Sequence, residues 1–145
     1  MKKFNDYVTR KGIRKGAVQK AVFGRYRICK RDTAAHRIFG FAITGTENGI
    51  ENPQGYSVTV KDMELAIYEF MLALPVSAIG QPASVIESCV FTEEKQRAIG
   101  IPPGILPPFA YWIGFEIHDP RIWEMILQSD FPVFTIEITG NAEPG

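Results

Sequence analysis

The sequence predicts an α+β domain, a mainly antiparallel sheet or small β-barrel with two or three helices packed on it. Segments that alternate apolar and polar residues recur at 36–45, 83–91, 109–118 and 131–140. That period of two belongs to strands with one face buried. Stretches with helical spacing lie between them, at 59–74 and 119–128. Strands and helices also follow one another without the regular βαβ rhythm of a parallel sheet.

The elements follow in chain order. "GAVQKAVFG" at 16–24 reads as a short helix, and "RYRICKR" at 25–31 alternates like a strand. "HRIFGFAITG" is the first strong strand, and "TENGIENPQGYS" is a loop dense in Gly, Asn and Pro. Thr59 stands at a helix N-cap, with Asp62 three residues on. Met63, Ala66, Ile67, Phe70, Met71 and Leu74 then form one apolar stripe, which Pro75 ends. In "ASVIESCVF", Val85, Glu87, Cys89 and Phe91 are expected on one face, and Ser84, Ile86, Ser88 and Val90 on the other. Thr92 caps a short helix, "PPGILPP" is a proline-fixed loop, and "FAYWIGFEIH" is a third strong strand. Asp119 caps a helix with Pro120 at its first position, burying Ile122, Trp123 and Ile126. In "FPVFTIEITG", Phe134, Ile136 and Ile138 oppose Thr135, Glu137 and Thr139.

The 145 residues suit one domain, and 46% hydrophobic content suffices for a core. No apolar run is long enough to span a membrane, and no secretory signal follows the first lysines. Cys29 and Cys89 are therefore expected to be free thiols, one or both buried, rather than a disulfide.

The formal net charge of zero hides an asymmetry. Residues 1–35 hold eleven basic residues: Lys2, Lys3, Arg10, Lys11, Arg14, Lys15, Lys20, Arg25, Arg27, Lys30 and Arg31. They hold only two acids, Asp6 and Asp32, leaving five basic and fourteen acidic residues for the rest. The expected layout is a basic arm over 1–35 that takes one shape only on a partner, a domain over 36–140 and a tail over 141–145. The arm's partner would be an acidic surface: nucleic acid, another protein or a neighbouring copy of this chain. A solvated arm without a dedicated partner is the plainer alternative.

No metal pattern occurs, since the two histidines, His36 and His118, lie far apart in sequence and no Cys-x-x-Cys pair is present. No cofactor is expected. The glycine-containing stretches lack the spacing and lysine of a phosphate loop.

Three stretches together carry a resemblance: "GYSVTVKDMELAIYEFM", "SVIESCVFTEEKQRAIGIP" and "YWIGFEIHDPRIWEMILQSDFPVFTIEITG". Their order resembles the short branch of the tailed-phage prohead serine proteases. In that family a Glu-Ser strand precedes a W-x-G-x-x-x-x-D-x-x-x-W segment and a closing F-S-I-x-G strand. Glu87, Ser88, Trp112, Gly114, Asp119 and Trp123 occupy the matching positions, and the likeness covers about 40–140. It implies a barrel ringed by helices, like that of the herpesvirus assembly proteases. It also implies a place in the virion, assembly in the host cytoplasm, and phage capsid or neighbouring head and neck proteins as partners. Homo-oligomerisation and non-specific DNA contact through the arm fit the same picture, without a membrane.

The family's catalytic serine falls here on Thr135, and its histidine on Gly80 or Gln81. A hydroxyl needs an adjacent base to act as a nucleophile, and neither Gly nor Gln is one. Glu87 is a remnant acid of the family site or a structural acceptor. The sequence therefore points to a head structural protein on a catalytically degenerate protease fold. Two alternatives stay open: a living maturation protease using Thr135, with His118, which shares a strand face with Trp112, Gly114 and Glu116, as a relocated base, and a partner-binding domain unrelated to phage heads.

Overall fold

The computed structural model describes residues 17–52, 55–77, 79–128 and 135–142, with the backbone alone for 17–25 and 135–142. Eight strands and three helices follow in the order β1 (Ala17–Arg25), β2 (Arg27–Asp32), β3 (Arg37–Gly45), β4 (Ile50–Glu51), β5 (Ser57–Val58), α1 (Val60–Leu72), β6 (Ala83–Thr92), α2 (Glu93–Ala98), β7 (Phe109–Ile117), α3 (Pro120–Leu127) and β8 (Thr135–Ala142). The main sheet has four antiparallel strands in the order β2-β3-β7-β6. β1 pairs antiparallel with β8, and β4 with β5. The α+β class is as the sequence indicates. Among the described residues the strands form these three sheets and no closed barrel.

One expectation about the first 35 residues is corrected. The stretch read as a helix at 16–24 is strand β1, paired with β8 from Ala17↔Ala142 to Arg25↔Thr135 with a register shift between Val22 and Gly24. A nine-residue segment without caps is a poor helix on its own, and here a strand 110 or more residues away supplies its backbone partners. Within the stretch expected as an arm, residues 27–32 form a strand. β2 belongs to the main sheet, and Tyr26 between β1 and β2 is buried in the core. Its hydroxyl donates to the Ile113 carbonyl at 2.6 Å, and its ring meets Phe115 edge-on at 5.3 Å. Burial pushes the Tyr26 phenol far above its ordinary range, with Cys29 adding to the effect, so it stays a neutral donor.

Helix starts follow their caps. The side chains of Thr59, Thr92 and Asp119 accept from the backbone N–H of Asp62, Lys95 and Arg121 respectively. α1 buries Met63, Ala66 and Ile67 in the core that also holds Ile38, Ile43 and Phe109, with Met71 partly buried. Phe70, placed on the same stripe by the sequence, is 43% exposed. α3 buries Trp123 and Ile126 beneath β7.

The single-face assignment along β6 is also corrected. A bulge between Val85 and Glu87 breaks the register with β7. Val85 therefore packs on the core, as does Val90 five residues later, while Glu87 and Cys89 face outward. An extra residue in one strand resets which face the following residues occupy. Both cysteines are free, as expected, but both are exposed rather than buried.

Candidate functional site

At one end of the main sheet, side chains from three strands and the turn after β7 form a continuous polar line. Arg37 on β3 is the direct cross-strand partner of Glu116 on β7, which in turn faces Ser84 on β6. Arg37 Nε donates to Glu116 Oε2 at 2.9 Å. The other carboxylate oxygen, Oε1, lies 3.9 Å from His118 Nδ1. His118 Nε2 lies 2.9 Å from Ser84 Oγ. Glu116 and His118 share this side because they are two residues apart on extended chain. The His118 main chain is anchored, since its backbone N–H donates to the Pro82 carbonyl at 2.8 Å. Hydroxyl, imidazole and carboxylate thus stand in the sequence that general-base activation of a nucleophile requires.

Glu87 lies elsewhere on the outer face. Its Oε1 accepts from Trp112 Nε1 at 3.2 Å, beside a cluster of Phe39, Phe41 and Trp112. Phe39 lies over Gly114, where a β-carbon would come within 2.7 Å of its ring. Among the described contacts Glu87 is a structural acceptor that orients an indole.

Gly80 and Gln81 lie in the exposed connection between α1 and β6, with Gly80 at φ +78. Thr135 opens β8 opposite Arg25, and its side chain lies outside the described residues. His36 stacks on Trp123 at 4.6 Å between ring centres, and its carbonyl accepts from the Ile117 N–H. Asn52 is buried and closes its loop by accepting from the Tyr56 N–H at 2.9 Å.

The basic residues divide. Lys2, Lys3, Arg10, Lys11, Arg14 and Lys15 lie outside the described residues, and Lys20 and Arg25 are described only as backbone of β1. Arg27, Lys30 and Arg31 ride on β2, an edge of the main sheet, with Lys30 Nζ 5.6 Å from the centre of the Phe39 ring.

A second charged cluster joins α1 to α2. Lys95 pairs with Glu64 at 2.7 Å and also donates to the Tyr68 hydroxyl, which itself donates to Glu64. Partial burial acts to lower the Lys95 pKa, but the hydrogen bonds and charges of Glu64 and Tyr68 outweigh it and raise it. Burial likewise raises the Tyr111 phenol against the opposing bond from Ser88.

The larger hollow described, of about 400 Å³, lies beyond the end of β3 against β4 and β5, where Thr46, Asn48 and Glu51 line it. It includes neither histidine nor Ser84. Among the described residues, no group of three or more His, Cys, Asp or Glu is arranged to hold a metal ion, and no helix is long and apolar enough to cross a membrane.

The sequence singled out His118 and its shared face with Glu116, but not Ser84 or Arg37. Those two depend on which strands neighbour β7 and in what register, and no local pattern carries that information.

Comparison of the chain with protein-family models, with curated proteins and with solved structures returned no match.

Proposed function

We propose that the chain is a head structural protein of a tailed phage, built on a domain of the prohead-protease kind whose family catalytic site is silent. It joins the assembling particle in the host cytoplasm and persists in the virion. Its basic N-terminal segment fastens it to an acidic surface of capsid or neighbouring head protein, with packaged DNA as a further, non-specific contact.

One observation carries this reading. The chain has only two imidazoles, and each has its own partner: His36 on Trp123 and His118 on Ser84. The loop position that supplies the family's base carries Gly80 and Gln81, neither able to take a proton at neutral pH. A hydroxyl at Thr135 without a base is an ordinary, poor nucleophile.

The test pairs a cleavage assay with an assembly assay. Full-length protein, incubated with the major capsid protein of the phage that encodes it, is expected to leave that protein intact and to enter particles. Cutting that disappears in Thr135→Ala overturns the reading. Deletion of residues 1–16 tests the fastening segment and spares β1, β2 and buried Tyr26. Incorporation is expected to fall, and unchanged incorporation rejects the fastening role.

A further inference from the structure

We infer that Ser84 is an activated nucleophile, with His118 as its general base and Glu116 as the carboxylate that positions the imidazole, and that it takes acyl groups from small esters with good leaving groups. This goes beyond the structural role proposed above and does not depend on it. The hydroxyl lies on β6, far in sequence from the closing strand where the family chemistry resides.

The geometry supplies the parts that such chemistry requires. Ser84 Oγ is within hydrogen-bond reach of His118 Nε2 at 2.9 Å, so a proton can pass as the oxygen becomes nucleophilic. His118 Nδ1 faces Glu116 Oε1 at 3.9 Å, a loose contact that an imidazolium would tighten. Arg37 holds the other Glu116 oxygen at 2.9 Å and so fixes the carboxylate's orientation. The backbone bond from His118 to Pro82 joins the main chain at the base to the residue just before β6, the strand that carries the nucleophile. By contrast, Ser88 on the same strand bonds to the Tyr111 phenol at 2.8 Å, and a phenol in its ordinary state is no base.

The surroundings define the substrate class. Ser84, Glu116 and His118 are partly exposed, and neither hollow described above or beside α2 contains them. A site on open surface offers little to stabilise a developing oxyanion, so amides with poor leaving groups are excluded. Aryl esters need less help. In the acylation step Ser84 Oγ bonds to the acyl carbon while its proton passes to His118 Nε2. The carbon–oxygen bond to the aryl group then breaks, and the phenolate leaves with that proton. Water next attacks the acyl-serine, giving its proton to His118, which returns it to Ser84 Oγ as the carboxylic acid departs. The sum is ester plus water to acid plus phenol.

The experiment uses the intact protein with two probes, p-nitrophenyl acetate and a fluorophosphonate. With the second, Oγ bonds to phosphorus, fluoride leaves, and the serine proton is released through His118. The expected result is one label per chain, mapped by peptide mass spectrometry to Ser84. Ser84→Ala loses the label and about a hundredfold of the esterase rate, the span general-base catalysis supplies, while Ser88→Ala keeps both. His118→Ala loses rate, and free imidazole restores part of it beyond the imidazole-catalysed rate measured with the Ser84→Ala/His118→Ala double variant, which a merely structural defect would not allow. Unchanged near-ultraviolet circular dichroism establishes that each variant is folded. Labelling that survives Ser84→Ala, or wild-type protein that reacts no faster than the Ser84→Ala variant, overturns the inference.

Discussion

Single atoms decide several features of the molecule. Gly40 sits in β3 where a β-carbon would lie 1.9 Å from the Arg27 carbonyl oxygen of β2. The obstacle is backbone, so no side-chain rotation relieves it. Gly40→Ala is expected to cost about 3 kcal/mol, the upper range for overpacking, because β2 must shift off β3. Urea unfolding followed by tryptophan fluorescence checks it, and a loss below about 0.5 kcal/mol, the usual scatter of surface changes, contradicts the close approach. The same scale governs the candidate nucleophiles. Ser84 and Ser88 lie four residues apart on one strand, yet one meets an imidazole and the other a phenol.

At the scale of elements, α1 and α2 are joined by Lys95, Glu64 and Tyr68. Lys95 has a folded-state pKa raised above its ordinary 10.5. Its contribution to stability is therefore complete below about pH 10.5 and is lost as pH rises through the higher folded value. Comparing wild type with Glu64→Gln isolates this contribution from other titrations. At pH 7 the variant is expected to be less stable by about 0.2–1 kcal/mol, as for exposed ion pairs. Melting temperatures measured from pH 8 to 12 should converge above about pH 10.5. A gap that is constant with pH would mean that the pair does not couple the helices electrostatically.

Across the whole molecule, the described sheet has two edges, β2 and β6, and they are treated differently. β2 carries Arg27, Lys30 and Arg31, whose like charges oppose pairing with another chain's strand. β6 has a bulge between Val85 and Glu87, and Lys95 covers its Val90 carbonyl at 3.3 Å. Part of the basic excess thus lies along a sheet edge. Replacing Arg27 and Lys30 with Thr is expected to make the protein self-associate with rising concentration, read by light scattering. Persistent monodispersity would show that the edge needs no charge. In the function proposed above, the basic residues from Lys2 to Lys15 are the ones whose docking role deletion of 1–16 tests.

The sequence by itself determined the α+β class, the three helix caps at Thr59, Thr92 and Asp119, the strands at 36–45, 83–91 and 109–118, and the face that Glu116 shares with His118. These depend on periodicity and on contacts a few residues apart, which the order of side chains records directly. Only the tertiary structure decided that 17–25 is a strand, that Tyr26 is core, that a bulge turns Glu87 and Cys89 outward, and that Ser84 stands against His118. Each of these depends on which distant strands pair and in what register. Those choices are set by packing summed over the whole sheet, so no local stretch of sequence contains them.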